Sequence, residues 1–439
     1  MIPVNSPARS IDHPLIDDPF EQPTSWKGPS MSNQPVHNVL ISGAGIAGPA
    51  LAHQLAASGV QVTVVERSAG IRTAGQLVDL RGNSQEAVRR MGLFDRIMDA
   101  RLPQNGIAYI NGRGRVFARW GIDMFGGHGP VSDLEIFRGD ISEILHEAVR
   151  DRVDFRFNDK ITSVDEHTDH ISVSFEHGRT ERYDLVVAAD GLHSATRRLI
   201  WGPEDPYVHQ VGGHTAYFTM PAPEPLDGWT LAHVLSERRM TMIRPDHDPA
   251  LAHAIMTFLD QPGSVVPDRH DPHARREMLI KRFTGADWHV PAMVAALESA
   301  DDLYFDSVAQ VKMPELSRGR VVLLGDAGYC PSPSSGQGTA LALVGAYILA
   351  GELTTGTDLA SALRSYEALM APQIAAGQQL PPGSTSWSMP KTRYGVKLAE
   401  LATVIAGHRP VSSMMAKAMA VEDKIDLPSY PAVTEPQRR

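Results

Sequence analysis

The sequence has a single cysteine, Cys330, among its 439 residues. One thiol excludes an intramolecular disulfide, and it also excludes a metal site built from several cysteines. Disulfides are typical of oxidising compartments, so their absence favours a cytoplasmic protein. No metal site is predicted.

Positive charge is also scarce, because 41 Lys and Arg residues face 51 Asp and Glu residues, a net charge of −10. A nucleic-acid-binding surface needs a clustered basic excess, which this sequence lacks. No run of about 18 apolar residues occurs, so we expect no membrane span. The first residues lack the basic start and apolar core of a secretory signal.

What the sequence does have is a strand, turn and helix pattern in residues 38–66. The apolar run Val39-Leu40-Ile41 is typical of a buried parallel strand, and it leads into Gly43-Ala44-Gly45-Ile46-Ala47-Gly48. A helical stretch and a second apolar strand follow, and that strand ends on Glu66. The pattern predicts a βαβ unit that binds a dinucleotide, with G-x-G-x-x-G at the turn and an acid about twenty residues on.

Each residue type in this motif has a physical task. The first glycine allows the tight turn, the second lets a pyrophosphate approach the backbone, and the third lets helix and strand pack closely. Free N–H groups at the helix N-terminus attract the phosphates. Glu66 is suited to accept a hydrogen bond from a ribose 2′-OH and would repel a 2′-phosphate, so the pocket favours FAD or NAD over NADP.

The rest of the chain divides into regions that differ in composition and in hydrophobic periodicity. Residues 1–36 are polar and proline-containing without periodicity, which predicts a disordered extension. Asn111-Gly112 predicts a hairpin turn between two short strands, and residues 154–157 and 171–175 suggest a second hairpin. From Gly212, four strand-like segments follow one another without helices, which favours an antiparallel sheet in a second domain. These segments are residues 213–220, 230–236, 240–244 and 252–259.

Two further apolar strands end in polar turns, at Asp190-Gly191 and at Gly325-Asp326-Ala327. With these motifs in this order, residues 37–375 resemble the class A flavoprotein monooxygenases, the single-component aromatic hydroxylases. The glycine fingerprint looks like their ADP-binding motif, and the two later turns look like their DG and GD motifs. Residues 85–87 and 138–140 are similar to positions of the tetracycline-inactivating subgroup.

This resemblance implies an α/β fold of the para-hydroxybenzoate hydroxylase type, in which a Rossmann-like FAD-binding domain is interleaved with a substrate domain on an antiparallel sheet. We expect the FAD-binding domain in residues 37–71, 104–205 and 300–370 and the substrate domain in residues 72–103 and 206–299. We also expect C-terminal helices in residues 371–426 and a tail in residues 427–439.

The resemblance also implies roles for individual residues around a noncovalently bound FAD. Arg67 would reach the adenosine side of FAD, Arg138 would contact the ribityl chain, and Asp326 would bind a ribityl hydroxyl. Asp190, in the DG motif, would also contact the cofactor. The turn Gly336-Gln337-Gly338 precedes a helix whose positive N-terminal end would face the negative charge of a reduced flavin. The simpler alternatives are a surface ion pair for Arg138 and a helix cap for Asp326.

Three positions depart from the family pattern, since Tyr329, Ala340 and Gly345 replace His, Asn and Asp. Losing those polar groups changes the hydrogen bonding around the flavin loop. Cys330 lies beside this loop, and we interpret it as a small buried residue rather than as a covalent flavin link.

The substrate pocket is less well defined by the sequence. The candidates on the second sheet are His214, Thr215, Tyr217 and Arg239. Strand alternation puts His214 on the opposite face from Thr215 and Tyr217, so only one face can line a cavity. The resemblance places the region of Thr215 and Arg239 nearest the substrate. Each of these residues can also be an ordinary member of the sheet, and no catalytic base is identified.

We therefore expect a monomeric or homodimeric monooxygenase that consumes O2 and NADPH or NADH. It would insert one oxygen atom into an aromatic or polycyclic small molecule through a hydroperoxyflavin. The absence of a second G-x-G-x-x-G fits a transient nicotinamide, with Arg72 as a candidate for its phosphates. The alternatives are a flavin reductase or dehydrogenase of the same fold and a flavin-binding protein without activity.

Overall fold

The computed structural model describes residues 36–72, 76–124, 132–260, 266–268, 271–379, 389–409, 411–419 and 426–431. The expected N-terminal extension lies outside these ranges except for Val36, whose side chain is buried below the first strand. The strands are β1 Asn38–Ser42, β2 Gln61–Glu66, β3 Leu77–Asp79, β4 Gly106–Ile110, β5 Val116–Gly121, β6 Glu135–Phe137, β7 Asp154–Phe157, β8 Ile161–Glu166, β9 Ile171–Phe175, β10 Thr180–Tyr183, β11 Leu185–Ala188, β12 Val208–Pro221, β13 Trp229–Leu235, β14 Arg239–Pro245, β15 Leu251–Phe258, β16 Tyr304–Val311, β17 Ser317–Arg318 and β18 Val321–Leu323.

The helices complete the set of described elements. They are α1 Ala47–Ala57, α2 Asn83–Arg90, α3 Phe94–Asp99, α4 Arg138–Glu147, α5 Ala195–Trp201, α6 Pro272–Phe283, α7 Val290–Ser299, α8 Asp326–Tyr329, α9 Gly338–Thr355, α10 Leu359–Gly377, α11 Arg393–Ala406 and α12 Val411–Met419, with a 3-10 turn at Pro333–Ser335.

The first sheet has six strands in the order β17-β18-β11-β1-β2-β7. Its central strand β1 pairs in parallel with both β2 and β11, as the βαβ pattern predicts. Val39 and Ile41 face the core that contains α1 and α9, whereas Leu40 faces the small sheet β8-β9-β10. A strand covered on both faces has no solvent side, which is why its sequence is a continuous apolar run.

The second sheet has seven strands in the order β16-β12-β15-β14-β13-β4-β5. The four predicted segments are β12 to β15, and their mutual pairings are antiparallel as expected. Apolar side chains on one face pack against α6 and α7 and form a second core. The other face is turned toward the small sheet β3-β6, since Arg244 on β14 forms an ion pair with Glu135 on β6 at 3.3 Å.

The strand pairing corrects several expected boundaries. The predicted hairpin β4-β5 forms, but β4 pairs in parallel with β13, and β16 pairs with β12, so both regions belong to the second sheet. Conversely, α2 and α3, expected in the substrate domain, bury Val88 and Ile97 in the first core. The suggested hairpin of residues 154–157 with 171–175 is wrong, because β7 pairs in parallel with β2 and β9 pairs with β8 and β10.

The C-terminal region also differs from the expected tail. Leu427 is buried in the first core, and the carbonyl of Pro428 accepts hydrogen bonds from Arg90 at 2.7 Å and Tyr347 at 3.1 Å. The ring of Tyr430 fills the space beside Gly351 of α9, where a Cβ would lie 2.2 Å away. Residues 427–431 therefore fasten α2 to α9.

Helix α9 is the central helix of the first core. Among the described residues it alone has the length and apolar composition to cross a membrane, but 67% of that stretch is buried inside the protein, against α1, α2 and α10. Helix-on-helix packing accounts for its apolar surface.

Candidate functional site

The turn between β1 and α1 is closely packed against its neighbours. Gly43 has a φ of +110°, and a Cβ there would lie 2.4 Å from the carbonyl oxygen of Ala189. A Cβ on Gly48 would lie 2.0 Å from the carbonyl oxygen of Gly43. Only glycine fits at both positions, and the close approach brings the N-terminus of α1 directly over the end of β1.

Glu66, at the end of β2, is bonded to this turn. Its two carboxylate oxygens accept hydrogen bonds from the backbone N–H groups of Ala44 and Ser68, each at 2.9 Å. A carboxylate has further lone pairs available for a hydroxyl group. Arg67 follows it and is exposed, and Arg72 is exposed with a guanidinium contact to Ser68 at 3.5 Å.

Arg138, the first residue of α4, lies across the same turn. Its Nη2 is 3.2 Å from the position of a Cβ on Gly45, so that glycine leaves room for the guanidinium group. Arg138 is also close enough to Asp326 to affect its charge. Surrounding protein raises the pKa of Asp326, and the positive charge of Arg138 opposes this rise.

Asp326 begins α8 immediately after the third strand-end turn, and its side chain is exposed to solvent at the bottom of a cleft. A Cβ on Gly338, the first residue of α9, would lie 3.7 Å from its Oδ1. On the other side, a Cβ on Gly325 would contact Ala47 of α1 at 3.0 Å. Thus the predicted fingerprint, Arg138, Asp326 and the turn at 336–338 converge on one cleft.

Two helix N-termini point into this cleft. The N-cap of α1 is the apolar Ile46 and that of α9 is Gln337, and neither side chain makes a capping hydrogen bond to its helix. Uncapped N–H groups carry partial positive charge and suit phosphates or a negatively charged ring. With Glu66 at one end and Asp326 at the other, the cleft has the donors and acceptors that an extended dinucleotide requires.

Asp190 follows β11 and is bonded to the start of α5. Its carboxylate accepts hydrogen bonds from the hydroxyl of Ser194 and from the backbone N–H and hydroxyl of Thr196, both of the latter at 3.0 Å. The strand-end aspartate therefore caps the start of α5.

The four substrate-pocket candidates lie on two faces of the second sheet. His214 is stacked between Phe258 and Phe305, with ring centroids 5.5 Å and 5.4 Å away, on the face covered by α6 and α7. Arg239 lies on the same face, because its guanidinium is over the ring of Phe283 and donates to the carbonyl of Arg282 at 2.6 Å. Neither side chain reaches the cleft.

Thr215 and Tyr217 are on the opposite face, the one from which Arg244 acts on Tyr217. Thr215 shares a hydrogen bond with Thr257 at 3.0 Å, and the ring of Tyr217 is 6.1 Å from that of Tyr304. Tyr304 is 39% exposed, and the charges of Arg138 and Asp326 act on its hydroxyl. Burial by the surrounding protein raises the pKa of both tyrosines. This face therefore borders the cleft with aromatic rings.

Tyr304, Asp306 and His193 are site residues that the sequence did not single out. The hydroxyl of Tyr304 donates to Asp306 at 3.2 Å, and His193 contacts the other oxygen of Asp306 at 3.2 Å. The available signal was the alternation in β16, which places Tyr304, Asp306 and Gln310 on one face of the strand.

Tyr329, one of the three departures from the family pattern, lies in the core next to Cys330. Tyr329 fills the core beneath α9, where its hydroxyl is 3.1 Å from that of Tyr366, which in turn donates to the carbonyl of Leu323 at 3.1 Å. Cys330 beside it is buried, its thiol donates to the carbonyl of Ala309 at 3.7 Å, and burial raises its pKa. A neutral thiol is a poor nucleophile, which fits a structural role.

Comparisons with known proteins agree with this geometry. A family model described as FAD binding domain matches residues 37–376. A flavin-dependent monooxygenase from an unknown prokaryotic organism is 38% identical over 341 residues, which are 77% of this chain and 87% of that protein.

Two solved structures share the fold over nearly the whole chain. The crystal structure of the tetracycline destructase Tet(55) is 34% identical with a TM-score of 0.75, covering 91% of this chain and 100% of that chain. The tetracycline destructase Tet(51) is 32% identical with a TM-score of 0.74, covering 90% and 100%.

Proposed function

The chain belongs to the FAD binding domain family of flavoprotein monooxygenases, and we propose that it uses NADPH or NADH with O2 to oxygenate an aromatic or polycyclic small molecule. It is a FAD-dependent monooxygenase, and the resemblance predicted from its three strand-end motifs is confirmed. The nicotinamide donor and the substrate are the parts that we propose.

The observation that carries the proposal is the convergence of four sequence segments on one cleft. In this arrangement the turn at Gly43 to Gly48 and the N-terminus of α1 would hold the pyrophosphate, and Glu66 would hold the adenosine ribose. Arg138 and Asp326 would contact the ribityl chain, and the N-terminus of α9 would lie near the ring system. When bound, FAD supplies the oxygen activation, because no side chain can do this chemistry alone.

The same cleft has one dinucleotide fingerprint, so the nicotinamide must bind briefly and leave. Arg72 is exposed beside Ser68, and Arg138 lies across the glycine turn. We assign these two guanidinium groups to the phosphates of the visiting donor, because Arg recognises phosphate with paired N–H groups.

The substrate class follows from the face of the second sheet that borders the cleft. Tyr217, Tyr304 and Met242 present rings and a thioether there, and Tyr109 and Ile122 pack with Met242 at its edge. Such a surface favours a flat, apolar molecule and keeps water from the reacting atoms. Two similar structures are named tetracycline destructases, so tetracycline is a suitable first probe.

The test is a turnover under labelled oxygen gas. Purified protein reconstituted with FAD is mixed with NADPH, ¹⁸O2 and either tetracycline or one of a panel of phenols, and the products are analysed by mass spectrometry. One labelled atom in the product, with the other in water, is the expected result. NADPH oxidation that transforms the organic substrate without label would contradict the monooxygenase function and favour a reductase or dehydrogenase.

A further inference from the structure

Four side chains form a continuous hydrogen-bonded series from the cleft to the protein surface. Tyr304 donates to Oδ2 of Asp306 at 3.2 Å, and Oδ1 of Asp306 faces Nε2 of His193 at 3.2 Å. The second ring nitrogen of His193, Nδ1, is 3.3 Å from both carboxylate oxygens of Glu204. Each link is within reach of proton transfer.

The two ends of the series have different surroundings. At the inner end, Tyr304 is exposed to the cleft beside Tyr217, where Arg138 and Asp326 act on it. At the outer end, Glu204 is one-quarter exposed, with the guanidinium groups of Arg198 at 3.6 Å and Arg197 at 3.9 Å. The series thus joins the candidate site to solvent across the boundary between the two sheets.

The geometry also offers an acceptor for each proton of the series. Both nitrogens of His193 face carboxylate oxygens, so a proton on either nitrogen has a carboxylate to bond to. Asp306 accepts from His193, from Tyr304 and from the backbone N–H of Ser307 at 2.8 Å. Its burial alone would raise its pKa, but these donors outweigh burial and the pKa lies below its usual value. Asp306 is therefore an ionised acceptor between two donors.

The proposed reaction requires a proton at the inner end. Oxidation of one NADPH by O2 with transfer of one oxygen atom to the substrate gives NADP⁺, oxygenated product and water, and this balance consumes one proton per turnover. The same is true of the uncoupled reaction, in which NADPH, O2 and one proton give NADP⁺ and H2O2. A cleft that excludes water needs another route for this proton.

We propose that Tyr304, Asp306, His193 and Glu204 conduct this proton from solvent to the cleft, an inference that rests on the proposed function. Tyr304 gives its hydroxyl proton to the acceptor in the cleft and receives one from Asp306 after the carboxyl group turns. Asp306 takes its proton from Nε2 of His193. His193 takes up a proton from Glu204 at Nδ1 as it releases the one at Nε2, and Glu204 is reprotonated from solvent. A turn of the imidazole ring then points the remaining N–H back at Asp306, so no group gains or loses net charge over a cycle.

The variants His193→Gln and Asp306→Asn test the pathway, because each keeps polarity and size but interrupts proton transfer. A matched control is His170→Gln, which changes a histidine paired with Asp169 at 2.8 Å in the turn between β8 and β9. The probes are NADPH and O2 alone, so no organic substrate is needed. FAD content and anaerobic bleaching by NADPH are measured first, and we expect both to be unchanged in all variants.

Reoxidation by O2 is then followed in H2O and in D2O. We expect His193→Gln and Asp306→Asn to slow it by roughly 100-fold, the usual scale for a lost proton-transfer group. The solvent isotope effect should rise, and the rate should become dependent on buffer concentration, whereas His170→Gln should match the wild type.

Reoxidation of His193→Gln at the wild-type rate, with an unaltered isotope effect, would overturn the pathway. If one of these variants loses FAD, Tyr304→Phe takes its place, because it removes only the hydroxyl at the inner end. Its reoxidation rate and its solvent isotope effect then test the pathway. Failure of the proposed function would be seen at an earlier step. In that case NADPH would not bleach the flavin of the wild-type protein, so the reaction would stop before the proton-consuming reoxidation.

Discussion

The hydroxyl of Tyr329 occupies the space that a side chain at position 345 would need: a Cβ on Gly345 would lie 2.1 Å from Tyr329 Oη. Both residues depart from the family pattern, and each departure fits the other. The larger tyrosine is accommodated because α9 has no side chain at that point, and its hydroxyl joins the buried pair with Tyr366.

Replacing Gly345 by Ala should therefore destabilise the protein by overpacking, on the order of 1–3 kcal/mol. Tyr329→Phe removes the clashing oxygen, so adding Gly345→Ala to that variant should cost less than adding it to the wild type. Urea unfolding of the four proteins measures this coupling. Strict additivity of the two changes would show that the residues do not share this space.

Removal of the carboxylate of Asp326 should weaken FAD binding by on the order of 1–3 kcal/mol, because a buried hydroxyl of the ligand loses its acceptor. Glu66→Ala should act similarly and should also loosen the turn by leaving the N–H groups of Ala44 and Ser68 without their partner, whereas Glu66→Gln keeps an acceptor and should lose less. Flavin fluorescence on dilution measures the affinities, with Asp95→Ala on the exposed side of α3 as control. Full flavin occupancy of both alanine variants would refute the assignment of the cleft.

FAD should be bound without a covalent link, since burial keeps the thiol of Cys330 neutral. Acid precipitation should release the yellow colour into the supernatant, and Cys330→Ala should bind as much flavin as the wild type. Colour that stays with the precipitated wild-type protein, but not with Cys330→Ala, would show a thioether instead.

Replacement of Arg239 should affect the stability of the protein, whereas replacement of Tyr217 should affect the KM for the substrate. Arg239→Ala removes a guanidinium group from the face covered by α6 and should lower the melting temperature while leaving the substrate KM unchanged. Tyr217→Ala removes a ring from the cleft and should raise KM with a small change in stability. The tetracycline or phenol found active in the labelling experiment serves as substrate, and an inverted result would mean that the other face of the sheet binds it.

Asp306 should make the free energy of unfolding decrease at acidic pH. Because its pKa is lowered in the folded protein, its contribution is complete above the unfolded carboxyl value of about 3.9 and is lost as pH falls through the folded value. The free-energy difference between wild type and Asp306→Asn should thus be largest near neutral pH and shrink on acidification. Denaturant titrations from pH 7 to pH 3 measure it, with the exposed Asp95→Asn as control. A difference that grows with acidification would contradict the ionised state of Asp306.

Local patterns predicted much of this fold, because the βαβ unit and the strand-end turns depend on residues adjacent in the chain. The partners of β4 and β7 could not be predicted this way. Pairing of β4 with β13 joins segments between which β6 to β11, strands of other sheets, are inserted, and local periodicity does not encode it.

The residues of the candidate site likewise include some that the sequence predicted and some that it did not. Glu66, Arg138 and Asp326 follow recognisable motifs, and the structure brings them to one cleft. Alternation separated the two faces of β12 correctly, but which face meets the cleft depends on α6 and α7, which cover His214 and Arg239. The series from Tyr304 to Glu204 joins residues more than a hundred positions apart, and only the folded chain shows that they meet.

The order of strands in the six-stranded sheet has a consequence for synthesis of the protein. Strand β11 pairs with β1 on one side and with β18 on the other, and β18 leaves the ribosome only after the whole second sheet has been made. Until then the nascent chain carries an open parallel strand edge, a surface that invites pairing with other chains. Completion of the cofactor-binding sheet is therefore a late event in translation, and a chaperone that shields this edge should act before residue 321 emerges.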